Sequence, residues 1–161
     1  MKRYFLDSSA IVKLYVVEPG SQTVRDLFRN SAQVSTRDRV LVCDLALPET
    51  VSALQQIARG PSAARKGLSV SALRRTLPRV QADFNGAIPI HMNAVSECMR
   101  EAVPIIERQQ LRPGDALHVA SALLVQQNIP AEDELTFVSA DQKHCDAARR
   151  EGLRVLALPG A

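Results

Sequence analysis

Four acids, Asp7, Glu49, Asp115 and Asp141, stand where apolar runs end or helical patterns begin. Each alone has a plain reading. Asp7 follows the run Tyr4-Phe5-Leu6 and precedes Ser8-Ser9, so any of the three could cap the next helix. Asp115 opens a helical pattern, where a carboxylate gains about 0.3 to 1 kcal/mol from the helix dipole. Gathered at one place, the four pose an electrostatic problem, because two carboxylates 4 Å apart repel by roughly 4 kcal/mol at an effective dielectric near 20. Some must hold protons, or a cation must sit among them. Oxygen donors suit hard cations, so Mg²⁺ or Mn²⁺ is the expected occupant. Such a site activates water and stabilises an in-line phosphoryl displacement.

The surrounding elements decide whether the acids can meet. Arg3 to Leu6 reads as a short strand buried on both faces, since it lacks apolar/polar alternation. Val40 to Cys43 is a second such strand, Ala87 to Ile90 a third, Thr136 to Ser139 a fourth and Arg154 to Ala157 a fifth. Helical patterns lie between them. Ala10 to Val17 is stopped by Glu18-Pro19-Gly20, and Ser21 is the expected cap of a helix ending near Asn30. Ser31 to Arg39 is a polar loop with extended residues around Val34. A helix beginning near Leu45 to Pro48 and ended by Gly60-Pro61 has the stripe Leu47, Val51, Leu54 and Ala58, with Glu49 off it, and a second runs from Leu68 to Phe84 with a kink or break at Pro78. Asn93 to Gln110 is helical but interrupted at Pro104, Ala116 to Gln126 is apolar nearly all round, and Gln142 to Glu151 is the last helix. Alternating strands and helices predict an α/β fold, a mostly parallel sheet of four to five strands flanked by helices, with a helical hairpin over residues 45–84. Its carboxyl edge is where ligands bind in open α/β sheets, and Asp7 would sit there.

The 161 residues fit one domain, 1–161, with ordinary globular composition. No apolar run reaches the length of a membrane span, and the three cysteines form no CxxC pair, so a soluble cytoplasmic protein with free thiols is expected. The net charge of +3 is mild, but its distribution is not even. Between Thr50 and Ala82 there are six basic residues, Arg59, Arg65, Lys66, Arg74, Arg75 and Arg79, and no acid. A solvated helical face is one reading of that stretch; a surface for the phosphates of a nucleic acid is the other.

The segments YFLDSSAIVKLYVVEPGS, ALPETVSAL, LRPGDALHVASAL and FVSADQKHCDAARREGLRVL together resemble the four acidic blocks of PIN-domain ribonucleases, in order and spacing over nearly the whole chain. They are most similar to VapC-type toxins of toxin-antitoxin pairs. The resemblance implies a PIN-like fold, endoribonuclease activity dependent on Mg²⁺ or Mn²⁺, a homodimer, and inhibition by a cognate antitoxin. It maps the family's acids to Asp7, Glu49, Asp115 and Asp141 and its small hydroxyl to Ser139, with Ser9 a second supporting hydroxyl. The RNA-contact candidates are then Lys13, Arg59, Arg65, Lys66, Arg74 and Arg75. Asp44 departs from the pattern, standing where relatives usually carry serine, and is read as a different helix cap.

Asp115-x-x-His118 and Asp141-x-x-His144 each place an imidazole on the acid's helical face, and a borderline metal such as Zn²⁺ could use them. The family motif carries a histidine at the place of His118 without using it as a ligand. His118 is therefore expected to be packed and hydrogen-bonded, His144 exposed, and Cys145 a small core residue. Two other functions fit the acids: an α/β phosphohydrolase of small phosphate esters, and a PIN-like module that binds RNA or protein without catalysis. Against an aspartyl-phosphate enzyme, Asp7 has no second aspartate two residues on.

Overall fold

The computed structural model describes residues 1–33, 38–87 and 90–160, with the backbone alone at 87 and 90–93. Five short strands, β1 (Lys2–Leu6), β2 (Arg39–Cys43), β3 (Ile90–Asn93), β4 (Glu134–Ser139) and β5 (Arg154–Ala157), form one parallel sheet in the order β3-β2-β1-β4-β5. The strands are short apolar runs because parallel strands are covered on both faces. Successive residues of β1 serve opposite faces. Leu6 joins a core with Val40, Val42 and Val138 under α1 (Ser8–Val12), α2 (Ser21–Ser31), α3 (Ala46–Arg59) and α4 (Val70–Ala82). Phe5 joins a second core with Leu41, Cys43 and Phe137 under α5 (Met99–Gln109), α6 (Pro113–Asn128) and α7 (Gln142–Arg150), and its ring stacks on Phe137 at 6.2 Å between centroids.

The chain runs outward from β1 through β2 to β3, crosses over to β4 on the other side of β1, and continues to β5. The direction of winding therefore reverses between β1 and β4, and a crevice opens there at the carboxyl edge. Leu6 pairs with Val138, so Asp7 and Ser139 leave the sheet side by side.

Several local expectations shift. Gly20, at φ 86°, rather than Ser21, is the cap residue of α2; the Ser21 hydroxyl instead donates to the Val16 carbonyl. The buried stripe of α3 is Ala46, Thr50, Leu54 and Ala58; Leu54 and Ala58 are as predicted, while Leu47 and Val51 are only partly buried beside Ala46 and Thr50. Helix α4 runs through Pro78 and gives way only at a π-type turn, Asp83–Ala87, where Gly86 takes φ 103°. Pro104 likewise lies inside the unbroken α5, and the interruption falls at Cys98, after a 3₁₀ turn over Val95–Glu97. The third strand is Ile90–Asn93, later than predicted, while the extended residues expected around Val34 lie outside the described residues. Asp44 does not cap α3. Its carboxylate crosses to accept the Val95 backbone N–H at 3.0 Å.

Candidate active site at the carboxyl edge

Asp7 ends β1 and caps α1 at once. Its Oδ1 accepts the Ala10 backbone N–H at 2.9 Å and the Ser9 hydroxyl at 2.7 Å; its Oδ2 accepts the Ser139 hydroxyl at 2.6 Å and His144 Nδ1–H at 2.7 Å. A carboxylate offers about four lone-pair positions, so every one of them is engaged. Burial alone would raise the Asp7 pKa, but the hydrogen bond and charge of His144, together with His118 and Ser139, outweigh it. The carboxyl is held below the ordinary aspartate range. Of the three candidate caps Asp7, Ser8 and Ser9, Asp7 takes the role, with Ser9 as a donor to it.

Ser9 and Ser139 fasten the two strand ends together. Ser9 accepts the Ala140 N–H at 2.9 Å, Ser139 accepts the Asp141 N–H at 3.0 Å, and the two hydroxyl oxygens lie 3.3 Å apart. Asp141 stands exposed at the rim and caps α7 by accepting the His144 N–H at 3.2 Å. It meets the cluster through this backbone and the Ser139 hydroxyl.

His144 is buried, contrary to expectation, because it lies on the inward stripe of α7 with Ala147 and Ala148. Its ring packs edge-on against Phe137 and His118. While Nδ1 serves Asp7, Nε2 lies 3.5 Å from Asp115 Oδ1 and makes no hydrogen bond. One imidazole thus spans the first and third acids. Burial opposes its protonation, yet the Asp7 and Asp115 carboxylates raise its pKa above the ordinary histidine range. The Asp141-x-x-His144 spacing marked the residue; the stripe it shares with the alanines was the signal for its burial.

Glu49 reaches the same edge from the first turn of α3, and Asp115 from that of α6. Pro113 opens α6 at a position where its missing N–H removes no helical bond. Next to it, Gly114 leaves room for Glu49: a Cβ added there would stand 2.7 Å from Glu49 Oε1. The other oxygen accepts His118 Nε2–H at 2.7 Å, and His118 Nδ1 lies 3.2 Å from Cys43 Sγ. His118 is packed and hydrogen-bonded as expected. Burial would lower its pKa, but the contacts with Cys43 and Glu49 raise it to about 10. Against the effect of its own burial, Glu49 is in turn held below the ordinary glutamate range by His118 and by a hydrogen bond from Ser8. Sequence reasoning missed the part played by Gly114, which depends on a contact with α3.

Among the RNA-contact candidates Lys13 is corrected. Its side chain is fully buried, with Nζ donating to Glu18 Oε1 at 2.7 Å and to the Pro19 carbonyl at 2.9 Å, so no part of it can reach a phosphate. Lys66 is largely buried and pairs with the other oxygen of Glu18. Arg59, Arg65, Arg74 and Arg75 are exposed on α3, α4 and the turn between them.

The four acids are oxygen donors of the kind that hold Mg²⁺ or Mn²⁺. Among the described residues no three His, Cys, Asp or Glu side chains already converge as a complete metal site. The buried Nε2 of His144 makes no hydrogen bond and lies 3.5 Å from Asp115 Oδ1, at the place where a cation held by these acids would stand near it. By their chemistry the four acids fit a hard divalent cation.

Acids and hydroxyls lie at the carboxyl edge of a parallel sheet, where its winding reverses, which is where an open α/β protein binds its ligand. The chain belongs to the PIN-domain family, whose model matches residues 4–150. PIN domains are generally nucleases. No curated protein matches the chain. No helix among the described residues is long and apolar enough to cross a membrane.

Proposed function

We propose that this chain is a metal-dependent endoribonuclease, a single PIN-domain unit over 1–161 that acts as the toxin of a type II toxin-antitoxin pair of the VapC kind. The observation that carries the catalytic reading is the pairing of Asp7 and Asp115 through one imidazole, with Glu49 set against the residue before Asp115. The candidate holders of Mg²⁺ or Mn²⁺ are Asp7, Glu49, Asp115 and Asp141. When bound, the cation would act as a Lewis acid on the phosphodiester and lower the pKa of the attacking water. Asp7 organises the site, drawing in Ser9, Ser139 and His144, so that the edges of β1 and β4 are held in one geometry. Glu49, kept ionised by His118 and Ser8, adds fixed negative charge beside the N-terminus of α6. Exposed Arg59, Arg65, Arg74 and Arg75 supply cations for a polyanionic backbone. The toxin role, the antitoxin partner and a homodimer are supported by the block-by-block resemblance in sequence.

The test is cleavage of end-labelled RNA with Mg²⁺, with Mn²⁺ and with EDTA, alongside an aryl phosphate monoester and the Asp115→Asn variant. RNA cleavage that needs metal and Asp115 is expected, leaving 5′ phosphate and 3′ hydroxyl ends. Hydrolysis of the monoester alone, or full RNA cleavage by Asp115→Asn, overturns the reading. Growth arrest on expression, relieved by a short open reading frame adjacent to the gene, tests the toxin role.

A further inference from the structure

Metal-ligating histidines characteristically use one ring nitrogen for the metal and donate the other N–H to a carboxylate, which sets tautomer and ring orientation. His144 has that arrangement before any metal is considered. Nδ1–H is committed to buried Asp7 Oδ2 at 2.7 Å, and Phe137 and His118 fix the plane of the ring. The side chain is only 5% exposed, and Nε2, with no hydrogen-bond partner, faces Asp115 Oδ1 at 3.5 Å. A buried polar atom left without a partner is unfavourable unless something else satisfies it.

We infer that His144 Nε2 is a nitrogen ligand of the cation bound beside Asp115, with Asp7 acting as the carboxylate that orients this imidazole. The inference rests on the metal-dependent reading of the site and sharpens it by assigning the class of metal. An imidazole ligand favours Mn²⁺ and later transition ions over Mg²⁺, which prefers oxygen and water. His118 is not the nitrogen donor, because Nε2 is committed to Glu49 and Nδ1 to Cys43. Asp7 Oδ2 orients the ring through Nδ1–H, and Asp7 stays among the candidate carboxylates of the cation.

Pulsed electron paramagnetic resonance of the full chain loaded with Mn²⁺ alone reads the ligand directly. A ¹⁴N coupling is expected, and protein carrying ¹⁵N-labelled histidine should replace it with a ¹⁵N coupling. The chain has three histidines, so His91→Gln and His118→Gln should both keep the signal and His144→Phe should lose it. Mn²⁺ affinity should fall about tenfold or more in His144→Phe, with a smaller change for Mg²⁺. Should His144→Phe fail to fold, the His91 and His118 variants still assign the coupling by elimination. Bound Mn²⁺ with no histidine nitrogen coupling, or a coupling that survives in folded His144→Phe or disappears in His118→Gln or His91→Gln, overturns the inference while the metal site stands. A wild-type chain that binds no Mn²⁺ overturns both.

Discussion

The Glu49 carboxylate lies against Gly114, so close that a Cβ at that position would stand 2.7 Å from Oε1. The contact joins the first turns of α3 and α6, which carry the second and third acids. Gly114→Ala should therefore push Glu49 off the helix N-terminus and away from His118. Alanine gains up to about 1 kcal/mol of helix propensity, but displacing Glu49 leaves buried His118 without its carboxylate, so the melting temperature should fall. Activity on RNA should fall about 100-fold, the scale expected for a displacement near 1 Å in a catalytic arrangement. An alanine variant with undiminished turnover would show that Glu49 needs no such close seat.

Asp7 and Asp115 should respond differently to amidation. From sequence, replacing either by asparagine relieves carboxylate repulsion and raises stability without metal. The structure reverses that expectation for Asp7, since its charge is already balanced by four donors, His144 among them. An amide would turn an N–H toward some of those donors. Asp7→Asn should lose about 1.5 to 3 kcal/mol, the usual worth of a hydrogen bond to a charged group, together with all activity. Asp115 is 39% exposed, and Asp115→Asn should stay within about 0.5 kcal/mol of the parent while losing activity. Urea unfolding in EDTA, paired with RNA cleavage in Mn²⁺, separates the two effects.

The carboxyl ends of β1, β2, β4 and β5, the order of the acids and the two-sided core were legible because parallel strands covered on both faces read as short apolar runs that stop on polar residues. Cys145 and His118 were placed correctly for the same kind of local reason. What escaped depended on side-chain contacts and helix phase that residue type does not show. His144 sits in the polar string Gln142-Lys143-His144, and its burial depends on Asp7, 137 positions away. Lys13 reads as a surface cation until Glu18 folds back onto it. Thr50 was off the predicted stripe of α3 because a hydroxyl gives no apolar signal, though the backbone phase buries it.

Glu18 holds two lysines, Lys13 at 2.7 Å and Lys66 on its other oxygen, and the Lys13 side chain has no exposure to solvent. Burial would raise the Glu18 pKa, but the hydrogen bonds and charges of both lysines outweigh it and lower the value. A carboxylate whose folded pKa is depressed contributes stability above its unfolded pKa, and that contribution is lost as pH falls through the folded value. Glu18→Gln should thus cost about 3 to 5 kcal/mol at pH 7, because Lys13 remains buried without its counter-charge. The gap between variant and parent should close as pH drops below the ordinary glutamate range. Denaturant unfolding from pH 7 to pH 3 measures it, and a gap independent of pH would show that the loss is one of packing.

RNA affinity should depend on the exposed arginines of the hairpin and not on Lys13. Arg59 lies about 15 Å along α3 from Glu49 at 1.5 Å per residue, within the span of a few nucleotides. Arg74 and Arg75 project from α4, which packs on α3. Each phosphate contact on a single strand contributes about 0.7 to the slope of log affinity against log salt. Replacing Arg74 and Arg75 by alanine should lower that slope by about 1.4 and weaken binding similarly across RNA sequences, since phosphate contacts carry no base information. Lys13→Met should leave the slope unchanged, because its ammonium is already spent on Glu18 inside the protein. Binding titrations of Asp115→Asn protein, which does not consume the RNA, at several salt concentrations give both slopes. An unchanged slope in the double alanine variant would move the RNA path away from α4.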